Sequence, residues 1–194
     1  MLRHLHLPRA GLAAFALLLA ACGDTNLLPP ATQPTVEDTV TLWAVTGTAI
    51  DRPSAYDVIG AAPVRTDMGG TFDFLFDFRL APGSTTDTVP VLVPRGADGM
   101  TDDAGLQLVV RARFDTLRVA PTGGYEFNQA VPVDTGSVLF VRSRLQQCNF
   151  GLSYGIYGKL QPLFISRTQR WIRFRILYDP NCGYRGLGPG VPTI

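Results

Sequence analysis

The chain is poor in three residues on which much enzyme chemistry rests. Of its 194 residues only two are histidine, His4 and His6, both within the first six positions. Lysine occurs once, at Lys159, and glutamate twice, at Glu37 and Glu126. If the N-terminal segment is a removable signal, as its pattern below predicts, the working protein starts at Cys22, has 173 residues (194 minus 21) and contains no histidine. Charge-relay triads, Cys-His pairs and imidazole metal sites are then excluded. A Schiff-base or P-loop mechanism has Lys159 as its one candidate residue and no supporting motif. An excess of charge of one sign is also missing. Without Arg3 and Arg9, 15 basic residues (17 minus 2) face 16 acidic ones, so no electrostatic footprint for nucleic acid exists.

What is present points to strands. Twenty glycines, 15 prolines and 14 aspartates (16 acidic residues minus two glutamates) describe a turn-rich chain lacking the long straight side chains that favour helices. From Thr39 onward the dominant period is two. Phe72, Phe74, Phe76, Phe78 and Leu80 alternate with Asp73, Asp77 and Arg79, Leu75 being the exception. Leu106 to Phe114 and Arg170 to Tyr178 repeat the pattern. Such alternation predicts antiparallel strands with one wet face. Further strands are expected over 40–50, 89–93, 117–120, 137–143 and 159–166, separated by Pro/Gly/Asp clusters. The fold class is therefore all-β, an antiparallel β-sandwich or open barrel of about eight or more strands, and one domain over 39–194 suits the length.

Residues 1–22 carry the most specific pattern. Arg3 and Arg9 precede an apolar run from Gly11 to Ala21, of signal-peptide length and too short to span a bilayer. It ends in Leu19-Ala20-Ala21-Cys22, which resembles the bacterial lipobox. The resemblance implies a signal peptide over 1–21, diacylation of Cys22 and a membrane partner reached through the lipid anchor. Gly23 stands where an aspartate would retain an enterobacterial lipoprotein in the inner membrane, so the outer membrane is the expected address. Residues 22–38, with Pro29, Pro30 and Pro34, read as a flexible tether. Cys148 and Cys182 remain. In an oxidising envelope compartment, with no histidine or third thiol to make a metal site, they are expected to pair, closing a loop of about 35 residues worth about 3 kcal/mol.

Several strings suggest chemistry. Asp134-Thr135-Gly136 resembles the aspartic-protease triplet, but its twin is missing, because Asp115-Thr116 runs into Leu117 and Asp87-Thr88 into Val89. The same residues, with Ser137, make a good hairpin turn in which Gly136 can take positive φ. Asp98, Asp102 and Asp103 offer oxygens without the spacing of a calcium loop. Arg111, Arg113, Arg142, Arg144, Arg173 and Arg175 can form rows on neighbouring strands that suit carboxylate or phosphate groups, or can be a solvated outer face.

Tyr56-Asp57-Val58, Gly60, Val64 and Phe72-Asp73-Phe74-Leu75-Phe76, followed late in the chain by Val138 to Arg142, Tyr157-Gly158-Lys159-Leu160 and Ile172-Arg173-Phe174, are similar in order and spacing to the HmuY-type family of haem-binding bacterial lipoproteins. The resemblance implies an all-β lipoprotein and haem as the possible cofactor. Iron in that family is held by two histidines, unavailable here, or by two methionines in some members, which implicates Met68 and Met100. The expectation is a non-enzymatic cell-envelope lipoprotein that binds a hydrophobic ligand such as haem, or alternatively an envelope protein-protein interaction module that uses its sheet faces and arginine rows. A cavity lined by Phe and Tyr favours the first reading and a filled core the second.

Overall fold

The computed structural model describes residues 28–194 except 102, 149 and 150. The expected signal segment 1–21, the lipidation site Cys22 and Asp102 lie outside the described residues. The fold is all-β. In chain order the strands are β1 (Val36–Trp43), β2 (Ala55–Asp57), β3 (Ala62–Val64), β4 (Phe74–Leu80), β5 (Thr88–Pro94), β6 (Gly105–Val109), β7 (Val131–Pro132), β8 (Val138–Arg142), β9 (Gln146–Gln147), β10 (Ser153–Tyr154), β11 (Tyr157–Ser166) and β12 (Trp171–Asp179). A front sheet has the order β1-β12-β11-β8-β6, a back sheet β3-β2-β4-β5-β7, and β9 and β10 form a separate hairpin. Every strand pair among the described residues is antiparallel.

The two five-stranded sheets bury their facing sides against each other, so of the two expected architectures the protein adopts the sandwich. Alternation explains which residues meet. Val40 and Leu42 of β1, Leu160 of β11, and Ile172, Phe174 and Ile176 of β12 face Tyr56, Phe74, Phe76, Phe78 and Leu92 of the back sheet in one cluster. Phe174 meets Tyr56 edge to face and Phe74 at a tilt across the gap, both with ring centroids 6.0 Å apart, and Tyr56 and Phe74 lie 5.7 Å apart within the back sheet.

The expectation of one wet face per sheet holds only in part. The outer side of the back sheet carries a second cluster of Ala55, Phe72, Leu75, Val91 and Val93, and Asp73 and Asp77, placed by the alternation on the solvent side, are buried. Half of the outer front face is covered as well. The strand expected over 106–114 stops at Val109 because Arg111 takes a left-handed φ of 59°. The chain turns there and lays Phe114, Ala120, Tyr125 and Leu187 over Val138, Phe140 and Leu177. Of the strand expected over 117–120 only a Val119–Gly186 bridge forms.

Under this cover lies Lys159. Its Nζ donates to the Leu117 and Leu187 carbonyls at 2.7 and 3.1 Å and sits 4.7 Å from the Phe114 ring centre. Burial, helped by Arg118, pushes this amine below its ordinary value. The carbonyl contacts tie both covering segments to β11, which is a packing role for the chain's single lysine.

β1 is an edge strand eight residues long, and its open side is partly occupied. The Thr35 and Trp43 N–H groups donate to the Gly190 and Pro53 carbonyls, and the Thr39 N–H donates to Asp38 Oδ1 at 2.7 Å. Residues 28–38, the described part of the expected tether, behave as part of the domain. Residues 36–38 open β1, and residues 31–35 hydrogen-bond to the segment following β12. Packed chain therefore begins upstream of Thr39.

Cys148 and Cys182 form the expected disulfide, with Cα atoms 6.2 Å apart and 34 positions between them in sequence. In the chain-entropy treatment such a loop contributes about 3–4 kcal/mol. Mild reduction, or the Cys148→Ala/Cys182→Ala pair, is expected to lower the urea unfolding free energy by that much, with a lower midpoint, without abolishing the strand signal in circular dichroism. An unchanged midpoint would sink this assignment of its role.

Candidate functional site

The uncovered half of the outer front face, at the end where β1 finishes, holds a continuous set of aromatic rings. Alternation turns Leu42 inward and Trp43 outward on β1, and Ile172 inward and Trp171 outward on β12. The two tryptophans are directly opposite in the register, with ring centroids 6.4 Å apart and planes at 54°. On β11 the pairing with β12 shifts between Pro162 and Phe164. This irregularity leaves Leu163 and Phe164 both in solvent. Phe164 lies 5.0 Å from Trp171 with an interplanar angle of 33° and is 51% exposed.

Guanidinium groups flank these rings. Arg52 sits 4.6 Å from the centre of Trp43 and Arg173 5.6 Å from that of Trp171. Among the described residues neither arginine has a carboxylate within 4.0 Å. The Trp171 indole N–H donates to Gln169 Oε1 at 2.9 Å, which fixes the ring's orientation. Arg170 is differently employed. It lies over Phe78 at 4.6 Å, donates to the Thr46 carbonyl at 2.7 Å and braces the loop after β1.

Arg52 also lines an adjoining open cleft of about 360 Å³ bounded by Val45, Ile50, Ser54, Thr66 and Asp67. A hydrogen bond from Arg65 holds the Asp67 carboxyl below its ordinary range. Val45 and Ile50 are exposed beside it. Rings on the strand ends and a cleft walled by the loop between β1 and β2 thus adjoin, with two guanidinium groups that lack a carboxylate among the described residues. Trp and Arg anchored in this way are the residue types that dominate binding energy at protein interfaces.

The residues singled out from the sequence fall elsewhere. Cys22 lies outside the described residues. Met68 closes a 3-10 turn (Thr66–Met68), which is joined to Ser54 by the Thr66 hydroxyl, and is 71% exposed. Met100 follows β5, whose Pro94 pairs with the first residue of β4, and is 44% exposed. Met68 and Met100 are thus solvent-exposed thioethers carried by separate loops, one after β3 and one after β5.

Asp134 is exposed and engaged locally. Its Oδ1 accepts from the Gly136 N–H and the Ser137 hydroxyl, and the Asp134 N–H donates to Ser137 Oγ. The turn connects β7 in the back sheet to β8 in the front sheet, so it is a crossover where a hairpin was expected, and Gly136 does not use positive φ. Asp103 accepts from Thr101 and from the Leu145 N–H, and among the described residues no group of three possible metal ligands forms.

The arginine rows do not assemble. Arg111 and Arg113 fall beyond the end of β6. Arg175 lies flat on Phe114 at 3.9 Å, and Arg144 turns away to two aspartates of the back sheet. Arg142 sits 5.7 Å from the centre of the Phe127 ring, and Arg173 stays beside Trp171.

No family model, curated protein or solved structure matches this chain. The sequence reading passed over Trp43, Trp171, Phe164 and Arg52. A usable signal existed: both tryptophans occupy outward positions of strands whose inward neighbours are Leu42 and Ile172. Large rings on a wet face are rarer than charges there and mark contact surfaces.

Proposed function

We propose that the protein is a non-enzymatic lipoprotein of the cell envelope, held at the outer membrane through Cys22, that docks another envelope protein through the Trp43–Trp171–Phe164 surface with Arg52 and Arg173. The observation that carries this reading is the contrast between the two sets of rings. Tyr56, Phe74, Phe76 and Phe174 are fully buried between the sheets, whereas Trp43 and Trp171, with Phe164 beside Trp171, stay at the surface with a guanidinium group beside each indole. A filled core favours contact through the outside over capture of a small ligand within, and arginines without carboxylate partners favour an acidic patch on the partner.

A photo-crosslinker in place of Leu163 is expected to trap one envelope protein in living cells. With that partner purified, Trp171→Ala is expected to weaken binding at least about 30-fold, as an interfacial anchor does, and Arg173→Ala to weaken it with a steeper dependence on salt, both at unchanged melting temperature. Equal affinities for both variants and the parent would sink the proposal. Titration of the mature chain with haem is expected to leave the Soret band of free haem unshifted. A shift abolished by Met68→Ala together with Met100→Ala would restore the ligand-capture reading in its place.

A further inference from the structure

The end of the sandwich opposite the tryptophans is where the chain enters the domain, and it is held there firmly. The Asn181 side-chain oxygen accepts the Thr32 and Gln33 N–H groups at 2.9 and 3.1 Å, and its amide donates back to the Gln33 carbonyl at 2.8 Å. Asp179 Oδ1 orients that amide from the other side. The Ala31 N–H donates to the Tyr184 hydroxyl, and Thr35 bonds through its N–H to Gly190 and through its hydroxyl to Gly188. Gly183, at a φ of 80°, leaves the space that Leu28 fills, since a Cβ there would stand 2.6 Å from Leu28 Cδ2. Cys182, in the middle of this loop, is tied to Cys148. The entering segment therefore has a fixed exit direction.

Beside it lies an apolar patch left exposed by the described residues. Val191 is 50% and Ile194 54% exposed, and Val36 and Val119 are exposed next to them. The patch is one surface because the Ile194 carbonyl accepts the Arg185 and Gly186 N–H groups, Gly186 bridges Val119, and Gly190 bonds to Thr35 beside Val36. Arg118 and Arg185 belong to the same segments, and the nearby Glu37 and Asp115 carboxylates face Arg175 at 3.9 and 3.7 Å.

The length of chain outside the structure decides what meets this patch. Ala31, which is clamped, is nine positions on from Cys22, and at full extension those nine steps span at most about 30 Å. Resting on the reading of Cys22 as the acylated residue, we infer that the Val36, Val119, Val191 and Ile194 surface lies against the lipid headgroups of the anchoring membrane, with Arg118 and Arg185 toward anionic phosphates. Lipid anchoring supplies the affinity, and the patch supplies orientation. β1 then rises from Val36 at the membrane to Trp43, about 23 Å further along the strand at strand spacing, and the docking surface faces away from the bilayer.

The test uses the full lipidated chain, purified from membranes and placed in vesicles of phosphatidylethanolamine and phosphatidylglycerol carrying brominated acyl chains, which quench nearby indoles. Native Trp43 and Trp171 are expected to emit as in unbrominated vesicles, while Val191→Trp and Ile194→Trp each add emission that bromination removes by more than half. Added emission that bromination leaves intact in both variants, or quenched native tryptophans, would overturn the orientation while leaving the anchor intact. Intact mass of the same preparation separates the two failures, because a Cys22 without acyl chains overturns the anchoring itself and the orientation with it. Association of two copies through the patch would show as mutual protection of the indole in Val191→Trp from an aqueous quencher with bromination ineffective, and counts against the inference.

Discussion

Replacing Arg144 by alanine is expected to destabilise the domain by about 3–5 kcal/mol, the usual consequence of removing one partner from a buried ion pair. Arg144 follows β8 in the front sheet, yet its Nη1 reaches Asp57 Oδ1 at 2.8 Å and Asp73 Oδ2 at 3.1 Å, both in the back sheet. The Asp73 side chain is 1% exposed and also accepts the Val58 and Arg144 N–H groups, each at 2.7 Å. This clasp joins the two layers at the end where the chain enters. Burial lifts the Asp73 carboxyl above its ordinary value, against the pull of Arg144 and the two backbone donors.

A carboxyl raised on folding favours the folded state while it is protonated, and that favour disappears as pH climbs through the folded value. Losing the guanidinium raises Asp73 further and leaves its charged form more exposed to the cost of burial. The Arg144→Ala penalty is therefore expected to be smaller near pH 5 than near pH 8, measured as the difference in urea unfolding free energy between variant and parent. A loss below about 0.5 kcal/mol, typical of surface substitutions, or one equal at both pH values, would show that the clasp is not the link between the sheets.

The clasp also shows how far the sequence could be read. Period two identified β4, β6 and β12 because the inner face of a sandwich must be apolar at every second residue, and the cysteine pair followed from the lack of any other partner. The same rule placed Asp73 and Asp77 in water. It failed because the carboxylates are satisfied by groups distant in sequence, Arg144 for Asp73 and Thr46 for Asp77, and no local pattern reveals a partner 71 positions away. Arg111 to Phe114 was read as strand for a related reason. One left-handed residue ends the extension, and arginine is not a residue that announces positive φ. β2, β3 and β7, two or three residues long, are too short to show a period. The surface built on Trp43, Trp171 and Phe164 depends on cross-strand register and on a bulge in β11, neither of which can be counted along the chain.

Phe174→Ala is expected to cost about 3–5 kcal/mol, the range for removing a buried aromatic ring from a packed interior. Phe174 is fully buried and stands at 6.0 Å from both Tyr56 and Phe74, so it belongs to the front sheet while its two ring partners belong to the back. Those partners cannot close the gap, because each is pinned by its own strand pairing at Tyr56↔Phe74 and Phe74↔Pro94. The cavity left behind is apolar apart from one atom, the Tyr56 hydroxyl, which is buried without a partner and whose ionisation is strongly opposed by burial. Tyr56→Phe removes only that unsatisfied group and is expected to shift stability by less than about 1 kcal/mol, and in the favourable direction. The pair of variants separates two views of the interior. If the rings are a close-packed floor, Phe174→Ala is severe and Tyr56→Phe mild. If they are the walls of a ligand chamber that opens in solution, Phe174→Ala is tolerated, with a loss under about 1 kcal/mol, and Tyr56→Phe weakens ligand binding, an outcome that would displace the outer surface as the site of function.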